Sequence, residues 1–225
     1  MSQAATNFVI GRGHADHHRA VSEEFANQLT HGSGLLLAAI GAIVMMYVAS
    51  ETHDTWRIAA ATIYSTTLVA LYAASTLSHS FLFRPRLRHF FRMVDQVCIF
   101  FLIAGTFTPF GLIFLRTGWT WWLTIAIWGL ALAGALFRAC FSYKQSMNSL
   151  VFVLLGWLPL MGITEAMTHI PSAALFWVLV GGMLYTAGTL FLARDHHRYF
   201  HAVWHLLVIA ASACHYWAIF AYAMV

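Results

Sequence analysis

His79, His201 and His205 are the residues best placed by type and spacing to do chemistry in this chain. All three fall at the ends of long apolar runs, where an unpartnered imidazole is costly. His201 and His205 are four residues apart, so a helix carries them on one face, about 6 Å apart along its axis. Converging neutral imidazoles suit a transition metal, zinc above all, and three protein ligands leave a fourth position for water whose pKa can fall to roughly 7. Asp95 could take a proton from that water, orient it, or ligate directly. Ser75, one helical turn before His79, could hydrogen-bond the same water or a substrate carbonyl. The competing reading of the three histidines is a hydrogen-bonded core network without metal.

A second polar stripe, Glu24, Asn27 and His31, has spacings of three and four at the start of the first apolar run. These residues could complete the site from behind its ligands, gate it, or donate to a substrate. They could equally form a helix first turn whose acid favours the dipole and whose amide satisfies nearby carbonyls. His215, ten residues beyond His205, reads as a hydrogen-bonding core residue. His14, His17 and His18 read as part of a disordered polar tail.

The elements that must carry these residues are membrane spans. Of 225 residues, 60% are hydrophobic and only 9% are Asp, Glu, Lys or Arg, well outside the range of a soluble domain. Seven runs have spanning length, at roughly 29–50, 58–79, 94–115, 119–138, 149–167, 173–193 and 200–224. Apolar residues fill these runs rather than alternating, which favours helices over a barrel. The expected fold is therefore an all-α membrane protein with seven transmembrane helices: a polar tail over 1–28 and one transmembrane domain over 29–225. The first run is long enough to remain as a span instead of being removed as a signal peptide. Cys98, Cys140 and Cys214 are odd in number and sit in or beside apolar segments, so they read as free thiols.

The net charge of +4 reports topology rather than a nucleic-acid partner, because the basic residues sit in short loops. Arg12, Arg19, Arg84, Arg86, Arg88, Arg92, Arg138, Lys144, Arg194 and Arg198 fall on one side, ten in all, against Arg57 and Arg116 on the other. That bias predicts a cytoplasmic amino terminus and an outer carboxyl terminus in the cell membrane. The second span then brings His79 to the cytoplasmic side, where the third and seventh spans start with Asp95, His201 and His205. The cluster of arginines from 84 to 92 could also attract anionic headgroups.

Several segments together form a pattern: Glu23-Glu24-Phe25-Ala26-Asn27-Gln28-Leu29-Thr30-His31-Gly32, Ser75-Thr76-Leu77-Ser78-His79, Asp95, Ala104-Gly105-Thr106-Phe107-Thr108-Pro109, and His201-Ala202-Val203-Trp204-His205. This pattern resembles the haemolysin III branch of the progestin and adipoQ receptor (PAQR) family, which is in turn similar to the alkaline ceramidases. The resemblance extends from Glu23 to the end of the chain. It implies a seven-helix fold with a cytoplasmic amino terminus and a zinc ion near the cytoplasmic leaflet. The ligands it implies are His79, His201 and His205, with Asp95 and Ser75 beside the water. Gln96 departs from the pattern, since many relatives carry a histidine after the aspartate.

The leading functional expectation is a zinc-dependent hydrolase of a lipid amide or ester, with a membrane lipid as substrate or ligand; the amide comes from the resemblance to ceramidases. Alternatives are a seven-helix receptor or membrane-state sensor with structural zinc, a pore, transporter or cytolytic protein, and a bis-histidine haem protein. Nothing in the chain looks like a secreted pore-former. Gly181 and Gly182 allow close helix contact but specify no oligomer. The charge bias makes one direct prediction. In a chain with its three native cysteines replaced by alanine, Ser2→Cys is labelled by an impermeant maleimide only after cells are opened, and Val225→Cys is labelled on intact cells.

Overall fold

The computed structural model describes residues 3–140 and 147–225, with side chains from residue 18 onward. Lys144 lies outside the described residues, as do the side chains of Arg12, His14 and His17. Every described element is helical: α1 (Gln3–Glu51), α2 (Thr55–Ser80), α3 (Pro85–Ile113), α4 (Thr120–Cys140), α5 (Ser149–Trp157), α6 (Ile163–His169), α7 (Ser172–Leu192) and α8 (Phe200–Ala223). A short 3-10 segment, Leu158–Gly162, joins α5 to α6, so these pieces together make one span. Seven helical segments are long and apolar enough to cross a membrane, and the protein is a multi-pass membrane protein of the cell membrane.

Local sequence explains where the helices begin and bend. The Asp54 carboxylate caps α2 by accepting from the Trp56 amide at 2.8 Å, and Asn148 caps α5 through the Leu150 amide at 2.9 Å. Proline opens α3 at Pro85, where its missing N–H costs nothing, and this starts the helix a full two turns before the apolar run itself. The arginines that look like a loop in the sequence therefore lie on the first turns of α3. Pro159 cannot continue an α-helical ladder, and the fifth span tightens into the 3-10 segment there. Polar residues ahead of the first span are wound into that span's own helix, because Glu24, Asn27 and His31 keep its period and find partners in the bundle.

Consecutive helices pack as neighbours from α1 to α4, α7 lies on α8, and α8 returns against α1 and α3. This arrangement puts α2, α3 and α8 around one interior, with Tyr64, Tyr72, Phe100 and Ile219 fully buried. Lipid tails are as apolar as leucine, so helix association rests on close packing and interhelical hydrogen bonds rather than on the hydrophobic effect. Those bonds recur at each interface. Tyr72 donates to Ser212 at 3.0 Å, and Ser212 also pairs with Tyr185 at 2.7 Å, joining α2, α8 and α7. Trp128 donates to Thr108 at 2.9 Å between α4 and α3, and Trp157 donates to Thr186 at 2.9 Å between α5 and α7. Gln96 accepts from the buried Arg138 and from the Met147 amide, tying α3 to α4 and to the start of the fifth span.

The α2–α3 contact has the least slack. A Cβ on Gly105 would fall 2.2 Å from Thr67 Oγ1 and 3.1 Å from Thr67 Cβ. Gly105→Ala is therefore expected to destabilise the bundle by about 1–3 kcal/mol through overpacking, read as a fall in melting temperature in detergent. Adding Thr67→Ala should recover most of that loss; full stability of Gly105→Ala alone would show that the two helices are free to separate.

Candidate metal centre

Three of the predicted residues meet at the membrane end formed by the last turn of α2 and the first turns of α8. His79 ends α2, and His201 and His205 begin α8 one turn apart. Tyr199, with φ of 63°, holds the left-handed residue that turns the chain into α8 just ahead of His201. The imidazole centroids lie 5.1 Å apart for His79 and His201, 5.0 Å for His79 and His205, and 4.7 Å for His201 and His205. One ring nitrogen from each lies within 4.8 Å of the others, and among the described residues no fourth His, Cys, Asp or Glu joins the group.

The orientation of two rings is fixed from behind by α1. His79 Nδ1 donates to Glu24 Oε2 at 2.6 Å. His205 Nδ1 donates to the Asn27 carbonyl at 3.2 Å and lies 3.1 Å from Thr30 Oγ1. With Nδ1 committed outward, Nε2 of each ring is left for the centre, which is the tautomer a metal ligand needs. His201 is the looser member: its side chain is 28% exposed, and its Nδ1 is 3.9 Å from Asp195 Oδ2. Glu24 is itself anchored, because Arg88 donates to its Oε1 and Arg92 lies 3.5 Å from the same oxygen. A carboxylate only 12% exposed thus joins an interior imidazole to two guanidinium groups.

Asp95 on α3 interacts with Ser75, Arg92 and Cys98, and it stands outside the histidine group. Ser75 is fully buried, and its hydroxyl faces Asp95 without completing a hydrogen bond. His31 is 3% exposed, stacks on His205 with centroids 3.5 Å apart, and meets Tyr72 edge-on at 5.2 Å. Neither of its ring nitrogens has a partner. His215 lies deeper and donates from Nε2 to the Val178 carbonyl at 3.0 Å, as a core residue does. His18 is exposed on α1.

The arrangement fits a divalent metal. Two buried imidazoles and one half-buried one present nitrogens to one point, and the two buried rings have their second nitrogen satisfied by oxygen acceptors. Sequence reasoning did not anticipate several of the contacts that orient it. Asn27 supports His205 with its backbone carbonyl rather than its amide. Thr30, which lies between Asn27 and His31 on the same helical stretch, was signalled only by that spacing. Arg88 and Arg92 carried a topological meaning in the sequence and a local one in the fold. Asp195 lies in the α7–α8 connection, where no periodicity points to it.

Comparison with known proteins identifies the family. The family profile described as "Haemolysin-III related" matches residues 19–216. Hemolysin-3 of Bacillus cereus is 34% identical over 205 residues, covering 91% of this chain and 93% of that protein. The Hemolysin-3 homolog of Bacillus subtilis is 30% identical over 203 residues, covering 90% and 95%. Monocyte to macrophage differentiation factor of Homo sapiens is 30% identical over 210 residues, covering 89% and 84%. The matched stretch takes in Glu24, His79, Asp95, His201 and His205, and the chain belongs to the haemolysin III branch of the PAQR family.

Proposed function

We propose that this protein is a zinc-dependent membrane hydrolase that cleaves an amide or ester of a lipid at the cytoplasmic leaflet. The observation that supports this reading most is a three-histidine group with no fourth protein ligand among the described residues; Ser75 lies one turn before His79 on α2 and interacts with Asp95 of α3. A structural zinc site is usually closed by four protein ligands, whereas a catalytic one keeps a position open. A zinc ion held by His79, His201 and His205 would polarise a carbonyl and lower the pKa of a coordinated water to roughly 7. Asp95 accepts the proton of the attacking water and returns it to the leaving nitrogen or oxygen. Ser75 donates to the developing oxyanion or holds the water in line. Glu24 and the Asn27 carbonyl keep the Nδ1 protons of His79 and His205 outward throughout, so neither ring turns from its task.

A second reading, a receptor or sensor with structural zinc, is favoured by the way the group joins the C-terminal end of α2 to α8, with α1 behind both. The name Hemolysin-3 borne by two relatives favours a lytic activity. Dye release from liposomes carrying the purified protein, compared with empty liposomes, tests lysis directly.

Metal analysis of purified wild type should give one zinc per chain, and His205→Ala should lose it. Comparison of membrane lipids with and without the protein should show one acyl amide or ester falling as its free acid rises. Wild type without zinc would end the proposal, and zinc without turnover would leave the sensor reading. Glu24→Gln should weaken zinc binding about 10–100-fold in competition with a chromogenic chelator, because the acceptor behind His79 loses its charge. Asp95→Asn should keep the zinc and lower turnover by about 100-fold or more; equal turnover would remove Asp95 from the chemistry.

A further inference from the structure

The histidine group is closed behind two of its rings and open beside the third. Behind His79 stand Glu24 and the guanidinium groups of Arg88 and Arg92. Behind His205 stand the Asn27 carbonyl, Thr30 and the stacked ring of His31. The His79 side chain is accordingly 3% exposed and His205 1%, whereas the His201 side chain is 28% exposed and its Nδ1 faces Asp195 Oδ2 at 3.9 Å. We propose that Asp195 is the entry ligand of the metal centre, a carboxylate that takes zinc from water and hands it to His201, so that the metal arrives and leaves past the α7–α8 connection.

The position of Asp195 suits that task. The connection lies between the spans Ser172–Leu192 and Phe200–Ala223, and its run from Arg194 to Tyr199 is exposed, so it meets water. Asp195 itself is 58% exposed. Backbone bonds hold it in place: its amide donates to the Leu192 carbonyl at 3.3 Å, and the His197 amide donates to the Arg194 carbonyl at 3.0 Å. Arg19 Nη2 donates to the His196 carbonyl at 3.4 Å, which fastens the connection to α1. The left-handed turn at Tyr199 then starts α8, with His201 in its first turn.

The chemistry follows from the contrast with Glu24. Glu24 Oε2 accepts from His79 at 2.6 Å and its Oε1 is spent on Arg88 and Arg92, so that carboxylate orients a ring and has little left for a cation. At 3.9 Å, Asp195 is beyond hydrogen-bonding reach of the His201 ring, although it stands next to it. Zinc accepts carboxylate oxygen as well as imidazole nitrogen, so a neighbouring pair of the two can pass it without full release to water. The electrostatics favour the same side. Arg88 and Arg92 act on His201 from α3 and oppose an approaching cation, while Asp195 presents the opposite charge across from them.

This inference rests on the reading of the three histidines as a metal centre, and not on the hydrolase reading. A group that binds the ion only in passage speeds entry and exit alike and leaves the equilibrium where it was. The test uses the full chain in nanodiscs and follows zinc itself: uptake by metal-free protein, and withdrawal by a chromogenic chelator at concentrations where the rate no longer depends on the chelator. Asp195→Asn should slow both directions about tenfold with equilibrium affinity unchanged, and Asp195→Glu, which keeps a carboxylate there, should restore both rates. Unaltered rates in Asp195→Asn would overturn the entry ligand while the metal centre stands. Faster release with a matching loss of affinity would overturn it too, because that is the signature of a partner that orients His201 as Glu24 orients His79. Wild type that binds no zinc would remove the metal centre, and the entry ligand with it.

Discussion

The site end of this bundle depends on one requirement: the ring nitrogens of His79 and His205 that point away from the centre must be tied within the protein, because the bilayer offers them nothing. One face of α1 supplies most of those ties. Glu24 holds His79, and Asn27 and Thr30 hold His205, while His31 on the same stretch stacks against His205. Two of the three converging nitrogens, those of His79 and His205, then have their tautomer set from behind. Without α1, His79 and His205 would be two buried donors seeking partners. With it, they become oriented acceptors. The helix that carries none of the ligands thus determines what the ligands can do.

The rest of the polar interior follows the same economy. Hydroxyls and indoles pair across helix boundaries, and the Tyr72, Ser212 and Tyr185 chain joins three helices at a depth where the sequence suggests only packing. The Arg138 to Gln96 bond applies the rule to a charge: a buried guanidinium at the end of α4 is met by the amide oxygen of Gln96. The departure at Gln96 is thus built into a local tie between α3, α4 and the fifth span rather than into the metal centre. In a medium that gives no hydrophobic reward for helix association, such bonds and close glycine contacts do the positioning that a core does in water.

Much of this was legible in the sequence, because a bilayer forces long apolar runs and leaves charges at their ends. All seven spans were readable, and the helix period placed His201 with His205, Ser75 with His79, and Glu24 with Asn27 and His31. The start of α3 was misjudged since Arg86, Arg88 and Arg92 look like a loop, whereas Pro85 at the first helical position extends the helix through them. The fifth span read as unbroken, and Pro159 divides it. Spacing along one helix says which residues share a face, but it does not say which way that face turns. For that reason the ties from Glu24 to both His79 and Arg88, and the use of the Asn27 carbonyl instead of its amide, were out of reach of periodicity.

The placement of the histidines has a consequence in the order of synthesis. Glu24, Asn27 and His79 are made with the first two helices, and His201 and His205 only with the last. A ribosome that stops before α8 leaves a membrane-inserted chain with one imidazole of the three and with the α1 partners of His205 unmet. The centre therefore cannot load during elongation. A metal that needs all three imidazoles would bind only once α8 has joined the bundle, so its uptake would report the last helix in place.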